Sequence, residues 1–261
     1  MLGLVRRDVP EDLPARERAA LGFSLVGDAL DVAGVAASAL RCVAVASPGV
    51  LTDGRVAHFG GHGMPGWIGL DVGRLARDAL GLPVIVEGDS ALAALAERRI
   101  GAGRDSENFM YIYSGRRTGA AIISGGRLLR GAHGATGLIG ELPELRWREL
   151  EAAAYGEGAA TDVPEILGLG IAAMVLAVDP ELVVVGGPSL DRLGSIIDDV
   201  QRHVARRCPV APPVILGQFG ADAVMRGAVW LALDAISAAL AHAVAGQGIL
   251  PRPTEVSALL G

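Results

Sequence analysis

Asp89 is the side chain whose type and position best suit chemistry. It follows an apolar run over residues 83–86 and precedes a helical pattern that begins at Ala91. Ligands of open α/β sheets bind at the carboxyl ends of the strands, where a carboxylate can accept the proton of a substrate hydroxyl as a general base. A capping role for Asp89 or Ser90 at the start of the helix explains the same position. The sequence leaves both roles open.

Two segments that contain glycine are candidates for binding phosphate or nucleotide. The first connects two predicted strands, and its residues are Gly115, Arg116, Arg117, Thr118 and Gly119. The backbone N–H groups of such a loop can cradle a phosphate beside the positive arginines, although an exposed basic turn has the same composition. The second segment, Gly186 and Gly187, ends an apolar run and would let a nucleotide or sugar approach closely. A glycine pair is also common in ordinary turns.

Composition narrows the classes of function. The 261 residues are 51% hydrophobic but only 4% aromatic, which suits a parallel α/β sheet covered by helices. The net charge of −6 argues against a surface that binds nucleic acid. All 23 Lys and Arg positions are arginine, which excludes mechanisms that need a lysine. Cys42 and Cys208 are too few and too far apart for a structural zinc site, and they indicate a reducing cytosol.

Strand-like runs alternate with helical patterns along the chain. The runs that predict strands are residues 40–46, 83–86, 109–113, 182–185 and 214–216. The patterns that predict helices are residues 14–34, 70–80, 91–100, 166–178, 189–207 and 225–244. The alternation predicts an α/β fold, with an antiparallel hairpin over residues 109–124 as the exception.

The chain passes from one strand–helix unit to another near residues 87–90, which predicts two lobes. We expect residues 1–87 to form the first lobe, with residues 240–261 as a candidate addition, and residues 88–239 to form a larger second lobe. The long apolar stretches are interrupted before they reach about 20 residues. We therefore expect a cytoplasmic protein that does not enter a membrane.

Five stretches together resemble the ROK family of bacterial repressors and sugar kinases. They are residues 43–50 (VAVASPGV), 81–89 (GLPVIVEGD), 91–103 (ALAALAERRIGAG), 125–135 (GGRLLRGAHGA) and 179–187 (DPELVVVGG). The resemblance covers most of the chain from about residue 30 onward and implies the actin-like ATPase (ribonuclease H-like) α/β fold of two lobes. Nothing before residue 43 resembles the first phosphate loop of the family kinases or the helix-turn-helix of its repressors. The resemblance therefore implies a truncated first lobe.

The resemblance also implies roles for individual residues. Asp89 matches the base that activates the sugar hydroxyl in family kinases, whereas the sugar-binding Asn before it is Gly88 here. Glu151 matches the last sugar-facing Glu of the family. Leu138 and Glu141 stand where the family has a sugar-binding Glu and a His that touches sugar and zinc. The implied substrate-binding set therefore includes Asp89, Glu151 and Glu141.

Other positions depart from the family pattern or leave their role open. Arg117 replaces a glycine of the family's second phosphate loop, and residues 142–149 contain no cysteine for its zinc loop. We therefore expect no bound metal and no zinc. His133 lies in a Gly-rich loop, where it could hydrogen-bond a polyol or play only a structural role.

These departures favour a sugar-binding or regulator-type protein without catalysis, an effector domain that lacks a DNA-binding part. The alternative is an ATP-dependent kinase for a hexose or amino sugar, in which Asp89 is the base and Arg116 or Arg117 stabilises the transferred phosphoryl group. Only this alternative requires ATP and magnesium. The expected partners are a small sugar or sugar derivative and a second copy of the chain in a homodimer. We expect no nucleic acid to bind to this chain alone.

Overall fold

Strands form where the sequence has apolar runs, and helices lie between them. The computed structural model describes residues 3–60, 63–154, 162–247 and 250–260. Within these ranges the strands are β1 (Val43–Ser47), β2 (Val50–Thr52), β3 (Arg55–His58), β4 (Val84–Gly88), β5 (Phe109–Ser114), β6 (Thr118–Ser124), β7 (Arg127–Leu128), β8 (Leu182–Gly186) and β9 (Val214–Leu216). The α-helices are α1 (Ala15–Ala33), α2 (Val72–Leu80), α3 (Asp89–Ile100), α4 (Trp147–Ala154), α5 (Val163–Val178), α6 (Leu190–Leu193), α7 (Ile197–Ala205) and α8 (Ala223–Gln247).

Contacts divide the chain into two compact units, of which the first comprises residues 1–88 and 231–261. Its strands β1 and β4 pair in parallel, and β2 and β3 form an antiparallel hairpin. A small core around Val56, Trp67 and Val72 joins the hairpin to α1 and α2. Asp71 caps the start of helix α2. Its side chain accepts the backbone N–H of Arg74, which has no backbone partner within the first turn of the helix.

The second unit comprises residues 89–230 and contains a five-stranded sheet in the order β7-β6-β5-β8-β9. Strands β5, β8 and β9 run parallel, whereas β6 and β7 are antiparallel to their neighbours. One face of the sheet packs on α5 and α7 through a core that contains Trp147, Ile171 and Val200. The carboxyl ends of the three parallel strands meet at one edge, so the loops that follow β5, β8 and β9 emerge together.

Two of the predicted elements differ from the structure. Thr118 and Gly119 are not loop residues, because β6 begins at Thr118 and pairs these two residues with Ser114 and Tyr113. The candidate phosphate loop is therefore limited to residues 115–117. The helix predicted over residues 189–207 is divided into α6 and α7, with Gly194 at the end of α6, where a residue of low helix propensity ends the first piece.

Helix α8 is the longest apolar element among the described residues. Residues 220–246 have a mean hydropathy of 1.7 over their most apolar window, and by length and composition alone they could cross a membrane. A single such helix is weak support for a membrane span, because the assignment rests on length and composition alone. That the chain stays out of membranes remains a prediction.

Candidate functional site

Asp89 is the first residue of α3, and it does not cap the helix in the usual way. Its Oδ1 accepts the backbone N–H of the adjacent Ser90 at 2.7 Å, whereas capping side chains bond to residues two or three positions further on. Burial raises the pKa of Asp89, while the Ser90 N–H and the positive charge of Arg117 act in the opposite direction. A carboxylate with a raised pKa beside a cation suits a general base better than a helix cap.

The start of β6 lies against the start of α3. A Cβ atom at Gly119 would lie 3.4 Å from the Ser90 Oγ, so the backbone of Gly119 packs directly on this side chain. The hairpin loop that precedes β6 is closed by a bond from the Gly115 N–H to the Arg117 carbonyl oxygen at 3.1 Å. These contacts hold the loop that carries Arg117 close to the start of α3, where Asp89 lies.

Glu151, on α4, joins this group through a backbone bond. Its Oε1 accepts the N–H of Thr118 at 3.1 Å. Burial raises the pKa of Glu151, and the Thr118 N–H and the charges of Arg148 and Arg117 lower it. Arg117 therefore acts on both Asp89 and Glu151, and the structure brings these three predicted site residues together.

Glu141 ends a short 3-10 helix, Leu138–Glu141, near the same group. Its Oε2 lies 2.5 Å from the Arg148 Nη2 in a salt bridge. The negative charge of Glu141 also raises the pKa of Glu151, against the effect of Arg148. Two of the predicted substrate-binding carboxylates, Glu141 and Glu151, thus both interact with the positive charge of Arg148.

His133 is exposed in the loop after β7. Nothing in its surroundings supports a role in sugar binding over a place on the surface. Its predicted role in substrate binding stays a prediction.

Close packing explains the lack of a side chain at both glycines of the pair Gly186 and Gly187, which ends β8 and begins the next turn. A Cβ at Gly186 would lie 2.7 Å from the Tyr111 Oη, and a Cβ at Gly187 would lie 2.6 Å from the Ser114 carbonyl oxygen. Gly187 also has a φ of +102°, which side chains disfavour. The N–H of Ser189 donates to the Ser114 carbonyl at 3.0 Å, so this turn packs on the end of β5. Two of the candidate nucleotide segments therefore lie side by side.

Tyr113 is a site residue that the sequence analysis missed. Burial and the charge of Asp89 raise the pKa of its phenol, whereas Arg117 lowers it. The phenol therefore stays protonated near Asp89 and offers a hydrogen-bond donor to this region. The available signal was its place at the carboxyl end of β5, just before the candidate phosphate loop.

No group of three or more His, Cys, Asp or Glu side chains that could hold a metal ion occurs within the described ranges. Cys42 and Cys208 are buried free thiols, and burial raises the pKa of both. Their predicted lack of a role in zinc binding remains a prediction.

Comparisons with known proteins add a family and a fold to this geometry. Residues 23–145 match the sequence profile described as the ROK family. The bifunctional enzyme NanE/NanK of Brucella suis biovar 1 (strain 1330) is 32% identical over 196 residues, which cover 62% of this chain and 37% of that enzyme. The match thus spans little more than a third of this relative.

Solved structures of similar fold cover nearly the whole chain. A ROK hexokinase from Thermus thermophilus superposes with a TM-score of 0.71 at 23% identity, over 90% of this chain and 92% of its own. A ROK family glucokinase from Streptomyces griseus, in complex with glucose and AMPPNP, gives a TM-score of 0.62 at 22% identity, over 81% and 87% of the two chains. These similarities confirm the predicted α/β fold of the actin-like ATPases, while the truncation of its first lobe stays a prediction.

Proposed function

We propose that this chain is an ATP-dependent kinase of a hexose or amino sugar. The proposal proceeds from its place in the ROK family, which rests on the sequence over residues 23–145 and on the fold. The observation that supports this most directly is the partly buried carboxyl group of Asp89, which shares the positive charge of Arg117 with the carboxyl group of Glu151. The relatives named above favour this alternative over the non-catalytic regulator that the sequence departures suggested. We further propose that it works in the cytoplasm.

In the proposed reaction, the Asp89 carboxylate accepts the proton of the attacking sugar hydroxyl. The sugar oxygen forms a bond to the γ-phosphorus of ATP, and the bond from that phosphorus to the β–γ bridging oxygen breaks, which releases ADP. Arg117 would stabilise the negative charge on the transferred group, because a guanidinium suits phosphate oxygens in charge and shape. Glu151 would hold the sugar through its hydroxyl groups.

Magnesium would enter this site with the nucleotide phosphates. The described residues do not fit a dedicated metal site, since no cluster of three metal-ligating side chains is present among them. The protein's own contribution to charge stabilisation would come from Arg117.

The direct test is a measurement of ADP release by the wild-type protein with a panel of hexoses and amino sugars. We expect one or more sugars to produce ADP in proportion to time and enzyme. Stabilisation of the protein by a sugar in a thermal-shift assay, with no ADP release from any sugar, would contradict the proposal.

A second candidate, sugar binding without phosphoryl transfer, is supported by the bulky Arg117 in place of a phosphate-loop glycine and by Leu138 in place of a sugar-binding Glu. This candidate predicts the outcome just named, sugar binding without ADP release. It requires no nucleotide to bind.

The raised pKa of Asp89 predicts the acid side of the pH profile. A general base works in its ionised form, so kcat/KM should fall as the pH decreases through the pKa that Asp89 has in the folded protein without substrate. Because burial raises that pKa, the fall should occur above 3.8, the ordinary value of an aspartate. Values of kcat/KM measured across a pH series test this; a decline centred at the ordinary value would contradict it.

Glu151→Gln should weaken sugar binding by about tenfold, since it removes the charge from one hydrogen bond to the sugar. The remaining amide oxygen can still accept the Thr118 N–H, so the start of β6 should keep its place. Sugar affinity measured by isothermal titration calorimetry tests this. Glu144 is exposed on a neighbouring 3-10 helix, so Glu144→Gln is the control. Equal affinities in wild type and Glu151→Gln would remove Glu151 from the proposed sugar site.

The predicted homodimer is a separate proposal. Light scattering over a range of protein concentrations should show a mass of about two chains. A monomer at every concentration would exclude the dimer.

A further inference from the structure

Glu97, in the second half of α3, is a fully buried carboxylate with 0% of its surface exposed. Its Oε2 accepts the N–H of Ala102 at 2.7 Å, and its Oε1 accepts the N–H of Gln218 at 2.7 Å. A third backbone bond comes from Phe219. Burying a carboxylate is costly unless hydrogen bonds compensate it, so this side chain is held in place by two separate loops and holds them in return.

Two glycines provide the space for this carboxylate. A Cβ at Gly217 would lie 2.6 Å from the Glu97 Oε1, and a Cβ at Gly101 would collide with the Oε2. A side chain at either position would push the carboxylate away from the N–H groups it accepts. The sequence therefore provides the acceptor and its space on two segments of the chain, the end of α3 and the residues after β9.

The loop bound by Glu97 extends to the glycine pair after β8. Gly220 has a φ of +51°, and a Cβ there would lie 3.9 Å from the Gly187 carbonyl oxygen. Strands β8 and β9 are parallel neighbours, so the loops that follow them emerge at the same edge of the sheet. Glu97 is thus connected to Gly187 through Gln218 and Gly220.

We infer that Glu97 is a positioning residue that holds the loop after β9 against Gly187 and so shapes the side of the site that receives the nucleotide. This inference rests on the proposed kinase function. Asp89 begins α3 and Glu97 lies further along it, so one rigid helix carries both the proposed base and the residue that fixes this loop. Glu97 does not contact the reacting atoms in this arrangement.

Two substitutions of Glu97 test the inference, because they remove one or both of its carboxylate oxygens. Glu97→Gln keeps one acceptor oxygen and places an NH₂ group opposite a backbone N–H, whereas Glu97→Ala removes both acceptors. We expect the dissociation constant for ADP, measured by isothermal titration calorimetry, to rise about threefold in Glu97→Gln and about tenfold or more in Glu97→Ala. Backbone amides of residues 217–222 should also exchange hydrogen faster in both variants.

Replacing a buried residue such as Glu97 can also lower the stability of the fold. A control variant must therefore separate this loss of stability from a loss of ADP affinity. Met174→Ala removes a buried side chain from α5, on the opposite core, and should lower the melting temperature without changing ADP affinity. The positioning role would be overturned if both Glu97 variants bound ADP with wild-type affinity. It would also be overturned if Met174→Ala, at the same melting temperature, lost as much ADP affinity as the Glu97 variants. Either result would leave the kinase proposal intact. Failure of the wild-type protein to bind ADP would overturn both.

Discussion

Asp89→Asn is expected to lower the rate of sugar-dependent ADP formation by about 10² to 10⁴-fold, the range that a general base contributes. The asparagine keeps an oxygen that can accept the Ser90 N–H, so α3 should still begin at the same residue. Sugar affinity should change much less than kcat, because proton transfer is needed only in the reaction. Initial rates and sugar binding measured on the same preparation separate these two effects.

The same substitution should stabilise the protein at neutral pH. The raised pKa of Asp89 means that the folded state binds its proton more tightly than the unfolded state, so stability decreases as the pH rises through the interval between the ordinary and the raised value. Above that interval the wild-type protein carries the cost of a partly desolvated charge, which asparagine does not have. The melting temperature of Asp89→Asn should therefore exceed that of wild type at pH 7, and the difference should disappear below 3.8.

Asp105→Asn is a suitable control for both measurements. The Asp105 side chain is 88% exposed and forms an ion pair with the exposed Arg104 at 3.1 Å. Surface pairs of this kind contribute little to stability, so neither activity nor melting temperature should change. Full activity in Asp89→Asn would remove Asp89 from the mechanism, and an unchanged melting temperature at pH 7 would contradict the burial of its charge.

Arg117→Ala is expected to lower kcat by about 10² to 10³-fold, the cost of removing one group that stabilises charge in a transition state. Its positive charge also lowers the pKa of Asp89 and Glu151, so the acid limb of the pH profile should move to higher pH in the variant. A loss of kcat together with a shifted limb would show that Arg117 acts on the phosphoryl group and on the base.

Arg127 is an exposed arginine on β7, so Arg127→Ala controls for the general effect of removing a positive charge. Arg117→Gly, which restores the small residue of the family loop, separates the two candidate functions. If Arg117 stabilises the phosphoryl group, this variant should be as inactive as Arg117→Ala. If the side chain only blocks a phosphate, Arg117→Gly should bind ATP more tightly than wild type, and that result would favour the non-catalytic candidate for the natural protein.

Local patterns were sufficient for several elements. The run over residues 214–216 predicted β9 with the observed bounds, and the pattern before Gly34 predicted α1 to within one residue at each end. Apolar runs and terminal glycines act over a few neighbouring residues, so they can be recognised without the fold. The break between α6 and α7 was missed, because an amphipathic pattern continues across it.

The candidate phosphate loop shows where local patterns fail. Thr118 and Gly119 follow two arginines in a segment that has the composition of a turn. They nevertheless begin β6, because they pair with Ser114 and Tyr113 of β5. Strand pairing and register depend on the neighbouring strand, so the glycine and arginine content of the segment could not determine where the loop ended.

The sequence by itself determined that a carboxylate follows an apolar strand and begins a helix at Asp89, and it indicated the ROK family and an α/β fold. Only the tertiary structure decided which groups surround that carboxylate. Thr118 and Glu151 are 33 positions apart, and Glu97 and Gln218 are 121 positions apart, yet each pair is joined by a hydrogen bond. Such bonds link a side chain to a backbone N–H on a distant loop, and backbone donors occur at almost every residue. Periodicity and composition therefore carry no sign of them until the fold brings the partners together.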